Sequence, residues 1–263
     1  MDDKTVQLHI IEDKYDRFLS NYTLDFSDFL TLEEQSMAMR FVNSHRREGV
    51  FFYGGYEDAE RKMVAFVPDY LEIGTEEELD EYFRGNPDDS PIKVLEVSVP
   101  SQEKVILGHR DYLGALMGER IRREKVGDII VGKTGAQLIV KKEMGDYLLQ
   151  NYRQIGRASV STELKELSAL KTKEIHKEEA EYNVSSPRLD NVVSAVFHIS
   201  RKDAVEAISR GIVFVNGMEV VKPAYTMKEG EKLVLRGKGK AIYRGITGES
   251  RKGKFYIKVE KYV

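Results

Sequence analysis

Apolar residues in the first third of the chain recur with the periods of two helices and a hairpin. Between 10 and 22 they fall at three- and four-residue spacing, which predicts an amphipathic helix. Thr31, followed by Glu34 three residues later, has the capping-box pattern and predicts the start of a second helix. Two β-type runs, 50–53 and 63–67, flank a polar loop that contains glycine, and they predict a hairpin.

A second pattern begins after the turn-rich sequence NPDDSP at 86–91. Strand-like and helix-like segments alternate in the order β-α-β-β-α-β, which is typical of ferredoxin-like folds and of RNA-recognition motifs. The aromatic pair with which RNA-recognition motifs stack bases is missing, because Ile, Val and Leu stand at those places. The predicted strands cover 92–99, 127–132, 135–140 and 156–162, and the predicted helices cover 108–120 and 144–152.

The last third predicts two short helices followed by a small β unit. Apolar residues at helical spacing cover 189–196. Ser200 then stands at an N-cap position, and Asp203 three residues later completes an acidic capping box for a second helix. The dipeptide Asn216-Gly217 predicts a tight turn between two strands. We expect the chain to end in a further hairpin.

These patterns predict an α+β multidomain protein. A chain of 263 residues is long for one domain and comfortable for two or three. The predicted parts are an acidic N-terminal α/β domain at 1–87, an RRM-like βαββαβ domain at 88–165, a charged helical linker at 166–182 and a basic domain of two helices and strands at 183–263.

Charge is distributed unevenly along the chain. The formal net charge is −3, but residues 1–90 carry −13 and residues 183–263 carry +8. Such asymmetry indicates that the C-terminal end binds a polyanion and that the acidic end does not. We expect the acidic end to limit indiscriminate binding of polyanions such as RNA, because it repels their negative charges.

Several classes of protein are excluded by what the sequence lacks. The chain has no cysteine, so it has no disulfide framework, thiolate metal site or thiol nucleophile. Its acidic N-terminus does not resemble a signal peptide, and no run approaches the roughly 18 apolar residues of a membrane span. We therefore expect a soluble cytoplasmic protein without a membrane partner.

One nucleotide-binding pattern occurs out of context. Residues 127–134, GDIIVGKT, satisfy the phosphate-loop pattern G-x-x-x-x-G-K-[ST]. That motif needs a strand before it and a helix after it. Here a β-like stretch fills the supposed loop and another strand follows, so a strand–turn–strand unit explains both glycines.

Nothing in the chain predicts a catalytic centre. No nucleophile elbow or isolated acid/base pair stands out. The histidines show no metal-ligand spacing, and His198, in the turn between two helices, suits a structural hydrogen bond. We therefore predict no catalytic residue, metal, cofactor or small-molecule substrate. The five histidines are His9, His45, His109, His176 and His198.

Cations and one capping residue of the C-terminal part are the candidate RNA-binding residues. Arg201 and Lys202 lie in the first turn of a predicted helix, where cations oppose the helix dipole and need a compensating anion. An RNA phosphate would supply that anion. If carboxylates of the same chain supply it instead, these cations no longer require a phosphate. Gly237 and Gly239 let the backbone approach a sugar-phosphate chain closely. The full set is Arg188, Ser200, Arg201, Lys202, Arg210, Lys222, Arg236, Lys238, Lys240 and Arg244.

Two further basic segments have two interpretations each. The loop GESRKGK at 248–254 is either a phosphate contact or a soluble turn. A group of cations in the middle region is explained equally well as a second RNA-facing surface or as a solvated helix end. That group is Arg120, Arg122, Arg123, Lys125 and Lys133.

The sequence from Arg188 to Lys240 resembles the RNA-binding domain named after ribosomal protein S-four of the bacterial small subunit. The matching segments are RLDNVV, ISRKDAVEAISRG, IVFVNG, KPAY and GEKLVL. Glu231 stands where the family often has Asp, and Lys202 where it often has Ser. The resemblance implies that 183–263 is an alpha-L RNA-binding domain.

The full chain resembles the YlmH family of bacterial RNA-binding proteins. Its middle signature is GDIIVG, AQLIVKKEMGDYLL and IGRASV, and its C-terminal signature is the alpha-L domain. The resemblance implies association with the large ribosomal subunit, with ribosomal RNA and tRNA as partners, and a monomer off the ribosome. It also implies a part in quality control of stalled translation, on subunits obstructed by peptidyl-tRNA.

Two other functions stay open on the sequence. The alpha-L module is also appended to pseudouridine synthases and some methyltransferases, so an RNA-modifying enzyme is the main alternative. Residues 1–180 are short for a synthase and lack the Gly-rich strand–loop–helix of a methyltransferase. The third interpretation is a protein-interaction adaptor that is tethered by its basic end.

Overall fold

The computed structural model describes residues 3–44, 48–100, 103, 105–172 and 176–263. The chain divides into two units, Met1–Thr172 and Lys173–Val263. His45 and residues 173–175 of the predicted linker lie outside the described residues. None of the described helices has the length and apolarity that crossing a membrane requires.

Helices and strands follow one another closely in the first unit. The helices are α1 (Asp3–Asn21), α2 (Leu32–Ser44), α3 (Glu76–Gly85), α4 (His109–Gly118) and α5 (Gly145–Asn151). The strands are β1 (Asp25–Phe26), β2 (Val50–Tyr53), β3 (Met63–Phe66), β4 (Ile92–Ser98), β5 (Val126–Val131), β6 (Gly135–Lys141), β7 (Gln154–Ile155), β8 (Ala158–Ser159) and β9 (Ser161–Lys165).

The predicted helices and hairpin of the N-terminal segment are confirmed. A capping box closes the start of α2: the Glu34 N–H donates to Thr31 Oγ1 (3.3 Å), and the Thr31 N–H donates to Glu34 Oε2 (2.7 Å). β2 and β3 form the antiparallel hairpin, and β1 pairs with the other edge of β3. Local capping and turn chemistry therefore position this segment as the sequence predicts.

α4 and α5 cover one face of a four-stranded antiparallel sheet. Its strand order is β5-β6-β4-β9, which confirms the predicted β-α-β-β-α-β succession. Leu95 and Leu138 of the sheet pack with Tyr112 of α4 and Leu148 of α5. The last predicted strand, 156–162, is divided between β8, which pairs with β7, and β9, which joins the sheet.

The other face of this sheet is buried under the N-terminal segment. Ile92, Val94 and Ile139 of the sheet share one hydrophobic core with Phe29 and Phe83. Both faces of the central strands are apolar, so the sheet needs a cover on each side. The predicted N-terminal and RRM-like domains are therefore not independent, because they share a core within one unit.

Hydrogen bonds cross the same boundary. Asp128 of β5 accepts from the Tyr56 hydroxyl (2.8 Å) and from the Arg61 N–H (3.1 Å). The Arg61 guanidinium donates to the carbonyls of Phe29 and Val126, both at 2.9 Å. Because these groups are partly buried, their pairing holds the loop between β2 and β3 against β5.

The buried second face removes the surface on which an RNA-recognition motif stacks bases. The aliphatic residues that replace the usual aromatic pair belong to a packed interior here. The phosphate-loop pattern is also explained, because β5 and β6 pair on both sides of a turn. A Cβ atom at Gly135 would lie 2.0 Å from the Val97 carbonyl oxygen, so the close pairing of β6 with β4 requires this glycine.

The second unit packs two helices on one face of a six-stranded sheet with the order β10-β15-β14-β13-β11-β12. Val192, Val193 and Val196 of the first helix meet Ile208 of the second helix and Val259 of the sheet in the core. The elements are β10 (Lys177–Val184), α6 (Leu189–Val196), α7 (Arg201–Ser209), β11 (Val213–Val215), β12 (Met218–Glu219), β13 (Lys232–Leu235), β14 (Gly239–Glu249) and β15 (Phe255–Tyr262).

The turn chemistry predicted for the C-terminal part is observed. Gly211 follows α7 with a left-handed φ of +71°. Asn216 and Gly217 adopt φ values of +50° and +77° between β11 and β12, as a tight hairpin turn requires. The predicted terminal hairpin is confirmed as β14 and β15.

The predicted helical linker at 166–182 is corrected by the structure. Its described part holds a 3-10 turn at Leu167–Ala169 and most of β10, which pairs with β15 over its whole length. The Lys- and Glu-rich composition favours a helix. However, Ala180, Tyr182 and Val184 alternate with polar residues, and this period of two suits a strand that covers a core.

Candidate nucleic-acid interface

A buried carboxylate joins the beginnings of α6 and α7. Asp190, in the first turn of α6, is 1% exposed. Its Oδ1 accepts from Nε of Arg188 (3.1 Å), the residue that precedes α6. Its Oδ2 accepts from Nη2 of Arg201 (2.8 Å), in the first turn of α7. One carboxylate therefore holds two guanidinium groups from different elements.

The prediction that the first-turn cations of α7 need an external anion is wrong for Arg201. For Arg201, Asp190 is that anion. The side chains of Arg188 and Arg201 nevertheless stay 40% and 59% exposed. The three groups together carry a net charge of +1, and the bonds to Asp190 fix the orientation of both planar guanidiniums. A phosphate would meet their solvent-facing edges without having to order them first.

The ionisation of Asp190 is secured by the same contacts. Burial by itself raises the pKa of this carboxyl. Hydrogen bonds and the charges of Arg188 and Arg201 outweigh burial, so the pKa of Asp190 lies below its ordinary value. The carboxylate is therefore charged at neutral pH, and the +1 cluster persists there.

Ser200 is occupied with capping. Its Oγ accepts from the Asp203 N–H (3.1 Å), as predicted for an N-cap, but its hydroxyl donates to Asp203 Oδ2 (2.7 Å). The Asp203 carboxylate thus binds the cap hydroxyl, which differs from the backbone contact of the predicted capping box. Lys202 beside it is exposed and takes part in no ion pair among the described residues.

Cations flank both ends of α6. The Asp190 N–H donates to the carbonyl of Pro223 (3.2 Å), which brings the adjacent Lys222 to the start of the helix. At the other end, a Cβ atom on Gly239 would lie 3.9 Å from the Phe197 ring. The turn 236–240, with Arg236, Lys238 and Lys240, therefore lies beside the end of α6, about 12 Å along the axis from its start.

The two glycines of that turn allow its backbone conformation. Gly237 and Gly239 have φ values of +78° and +133°, a region that favours glycine. No atom lies within 4 Å of a Cβ built on Gly237, so crowding is not the reason for it. The Lys238 N–H donates to the Leu235 carbonyl (2.9 Å) and closes the turn. Arg236 and Lys238 are exposed on it.

Two predicted RNA-binding arginines lie away from this group. Arg210 caps the far end of α7, about 14 Å along the axis from Arg201, and is 3.7 Å from Glu206. Arg244 of β14 makes two hydrogen bonds to Glu260 of β15, at 2.8 and 2.9 Å. Hydrogen bonding to Arg244 lowers the pKa of Glu260, so this cation has a partner within the sheet.

The predicted second RNA surface is not assembled, because two of its cations are held inside the first unit. Arg123 Nη1 donates to the Val126 carbonyl (2.6 Å), and burial, followed by the nearby Arg61 charge, lowers the pKa of Arg123 to about 10. Lys125 Nζ donates to Asp28 (2.9 Å) and to Glu143 (2.8 Å). These contacts give both residues a structural role.

The remaining members of that predicted surface are exposed but separated. Arg120 and Arg122 precede β5, and Arg122 is paired with Glu124 at 3.2 Å. Lys133 lies in the turn after β5, roughly 20 Å away along six residues of strand. The structure therefore does not bring these cations onto one patch.

His198 has a packing contact. It adopts a left-handed φ of +51° in the turn between α6 and α7. Its ring centroid is 5.9 Å from that of Tyr182, a ring contact rather than the predicted hydrogen bond. In the described ranges, no three His, Asp or Glu side chains are grouped so that they could hold a metal ion.

Asp190 is the site residue that sequence reasoning did not single out. It is the Asp of the RLD segment, two positions after Arg188. Its position on the buried face of α6 was a signal, because buried carboxylates in proteins are almost always paired with cations. The partner on α7 is visible only once the two helices are packed.

Two family models match the chain. The model described as the putative RNA-binding domain in YlmH matches residues 86–169, and the S4 domain matches residues 187–233. The second of these segments contains Arg188, Asp190, Arg201 and Lys202.

Relatives match either over most of the chain or over a shorter part of it. The ribosome-associated protein quality control protein P2 of Bacillus subtilis (strain 168) is 32% identical over 91% of this chain and 88% of that protein. Small ribosomal subunit protein uS4 of Rhodopirellula baltica is 41% identical over 24% of this chain and 33% of that protein. An uncharacterized RNA pseudouridine synthase of Aquifex aeolicus is 47% identical over 19% of this chain and 21% of that protein.

Proposed function

Because the chain belongs to the YlmH family of RNA-binding proteins, we propose that it binds ribosomal RNA through the beginnings of α6 and α7. The observation that carries this proposal is the pair of guanidiniums on Asp190, with exposed Lys202 on the next residue of α7. These groups lie within the matched S4 domain. The proposed ligand is the phosphate backbone of a structured RNA.

Binding in this scheme depends on preorganised charge. Asp190 holds Arg188 and Arg201 in place, so little side-chain entropy is lost when a phosphate accepts their outer N–H groups. Lys202 adds an exposed charge, and the turn 236–240 adds cations at the other end of α6. Backbone contacts of this kind read RNA shape and position the protein without reading bases.

The acidic N-terminal part of the chain disfavours RNA binding. Residues 1–90 carry a net charge of −13, which repels the phosphates of RNA. The C-terminal basic groups are then the favoured contact. In this proposal the repulsion restricts RNA contacts to the C-terminal cations. A protein with a net charge of −3 then binds one RNA surface specifically and does not bind RNA indiscriminately.

We extend the proposal to the large ribosomal subunit and to quality control of stalled nascent chains. The name of the Bacillus subtilis relative, which matches along most of its length, supports a ribosome-associated role. The partial match to a ribosomal protein supports ribosomal RNA as the ligand of the module. In this proposal the first unit makes a neighbouring contact with tRNA, ribosomal RNA or protein, and the protein acts without catalysis in the cytoplasm.

An RNA-modifying enzyme is less well supported. The similarity to the pseudouridine synthase covers 21% of that protein, a share that suits a common RNA-binding module joined to different neighbours. Incubation of the protein with ribosomal transcripts, followed by mass mapping of the bases, tests this alternative. We expect no turnover.

The direct test is sedimentation of the tagged protein with purified small and large ribosomal subunits. We expect cosedimentation with the large subunit that nuclease treatment abolishes. Lys202→Ala removes one exposed cation of the site, and Lys171→Ala removes one exposed cation of the first unit as a matched control. Lys202→Ala should weaken binding and reduce the salt slope by about one, and Lys171→Ala should do neither. Binding that survives nuclease would instead identify an adaptor.

A further inference from the structure

A separate basic surface lies at the tip of the hairpin formed by β14 and β15. Arg251, Lys252 and Lys254 are all exposed there within four residues. The ion pairs of this hairpin's strands join other residues, such as Arg244 with Glu260 and Lys258 with Glu179. Glu249, where β14 ends, is a carboxylate beside the loop, so the tip carries a net charge of about +2.

The backbone of the tip is closed by hydrogen bonds. The Gly253 N–H donates to the Ser250 carbonyl (2.9 Å), and the Lys254 N–H donates to Ser250 Oγ (3.0 Å). The Ser250 N–H donates in return to the Lys254 carbonyl (2.6 Å). Gly253, at φ +72°, allows this tight turn. The cations therefore extend from a hydrogen-bonded turn of defined backbone conformation.

The tip lies apart from the site at the beginnings of α6 and α7 (the α6–α7 site, with Arg188, Arg201 and Lys202), because the eleven residues of β14 separate it from the turn 236–240. Eleven residues of extended strand span about 36 Å. β13 pairs with β14 only as far as Ile242, and the hairpin continues beyond it. The matched S4 segment ends at residue 233. The hairpin tip is thus outside the module that the family model describes.

We propose that the hairpin tip is a second contact for RNA backbone, which the same RNA reaches together with the α6–α7 site. This inference rests on the proposed function. The physical reason is that like charges so close together repel one another in the free protein, and a phosphate backbone relieves that repulsion with release of counterions. Two contacts on one rigid unit also raise affinity, because the second binding event is intramolecular.

The experiment measures the affinity of the full chain for two fluorescein-labelled RNA duplexes by anisotropy over a range of KCl concentrations. One duplex has about 16 base pairs, the length that spans two successive minor grooves, and the other has half that length. The tip variant is Arg251→Ala/Lys252→Ala/Lys254→Ala. The matched control is Arg157→Ala/Lys171→Ala/Lys228→Ala, which also removes one arginine and two lysines that are exposed.

On the longer duplex the tip variant should lose roughly tenfold in affinity at low salt, and its salt slope should fall by about two to three. On the shorter duplex the loss should be smaller, because that RNA cannot reach both contacts. Equal losses for the tip and control variants, or equal losses on both duplexes, overturn the second contact. Thermal melting of each variant verifies that the fold is retained.

A different result would overturn the proposed function. If Lys202→Ala leaves the affinity for both duplexes unchanged while the tip variant loses affinity, the α6–α7 site is overturned as the primary contact. If Lys202→Ala weakens binding and the tip variant matches its control, the primary site stands and the hairpin tip is a soluble turn.

Discussion

Asp190 of α6 and Arg201 of α7 are joined by two hydrogen bonds, of 3.0 and 2.8 Å, to a single carboxylate oxygen. The acid is buried and the base is more than half exposed. This relationship makes Arg201 both a structural tie between two helices and a surface cation. It also means that charge and geometry at the proposed RNA site can be separated by mutation.

Asp190→Asn should weaken RNA binding even though it makes the protein more positive. Asn keeps one acceptor oxygen but loses the negative charge and the second acceptor, so its contacts with Arg188 and Arg201 weaken, and the free energy of unfolding should fall by about 1–3 kcal/mol. Urea denaturation and anisotropy with labelled RNA measure the two effects. Glu206→Gln on α7 is the matched control, because it adds the same charge at an exposed site with a contact of only 3.7 Å.

Charge alone predicts that both substitutions tighten RNA binding by a similar factor. Orientation by Asp190 predicts opposite results, with weaker binding for Asp190→Asn and equal or tighter binding for Glu206→Gln. Tighter binding by both variants would contradict the positioning role of Asp190.

The contribution of Asp190 to stability should disappear in acid. Its pKa in the folded protein is below the ordinary value of 3.8. A depressed carboxyl pKa stabilises the folded state above the unfolded pKa, and this stabilisation is lost as the pH falls through the folded pKa. The difference in unfolding free energy between the native sequence and Asp190→Asn should therefore be constant near neutrality and shrink below about pH 4. A difference that grows in acid would show that the carboxylate is not stabilised by its arginines.

Gly135→Ala should destabilise the first unit by about 1–3 kcal/mol, because its Cβ would overlap the Val97 carbonyl oxygen at 2.0 Å. Gly114→Ala is the control within α4, where no atom lies within 4 Å of the new Cβ. That substitution should stabilise the helix by roughly 0.5–1 kcal/mol. Thermal unfolding of both variants tests the pair, and similar shifts in the two would argue against close strand pairing at Gly135.

Removal of the N-terminal segment should unfold the middle sheet. A chain of residues 88–172 would expose Ile92, Val94 and Ile139, which are fully buried in the first unit. We expect this fragment to bind a hydrophobic dye and to be digested rapidly, whereas residues 1–172 resist proteolysis. A stable, protease-resistant fragment would mean that the βαββαβ segment is an independent domain.

Short-range chemistry explains what could be predicted. The capping box at Thr31, the N-cap at Ser200 and the turn at Asn216-Gly217 depend on neighbouring residues only, and all three lie where the sequence places them. The order of the middle elements also follows from local periods. The linker prediction was wrong because the Lys- and Glu-rich composition favours a helix, whereas the alternation of Ala180, Tyr182 and Val184 forms a strand.

The candidate site was predicted only in part. The cations of the C-terminal part are apparent from charge, and the structure places Arg188, Arg201, Lys202 and Lys222 at the start of α6 and α7. The predicted need of Arg201 for an external anion is wrong, because Asp190, eleven residues away on another helix, is its anion. Arg123 and Lys125 resemble surface cations in sequence, yet they donate to groups inside the first unit.

By itself the sequence determined most helix starts, the tight turns, the order of elements in the middle segment and which end of the protein is basic. These properties depend on residues within about one helical turn or on simple counts of charge. Only the tertiary structure decided that the second face of the middle sheet is covered, that β10 pairs with β15, and that Asp190 holds two arginines. The physical reason is that burial and ion pairing depend on which distant surfaces meet, and a one-dimensional pattern does not specify their partners.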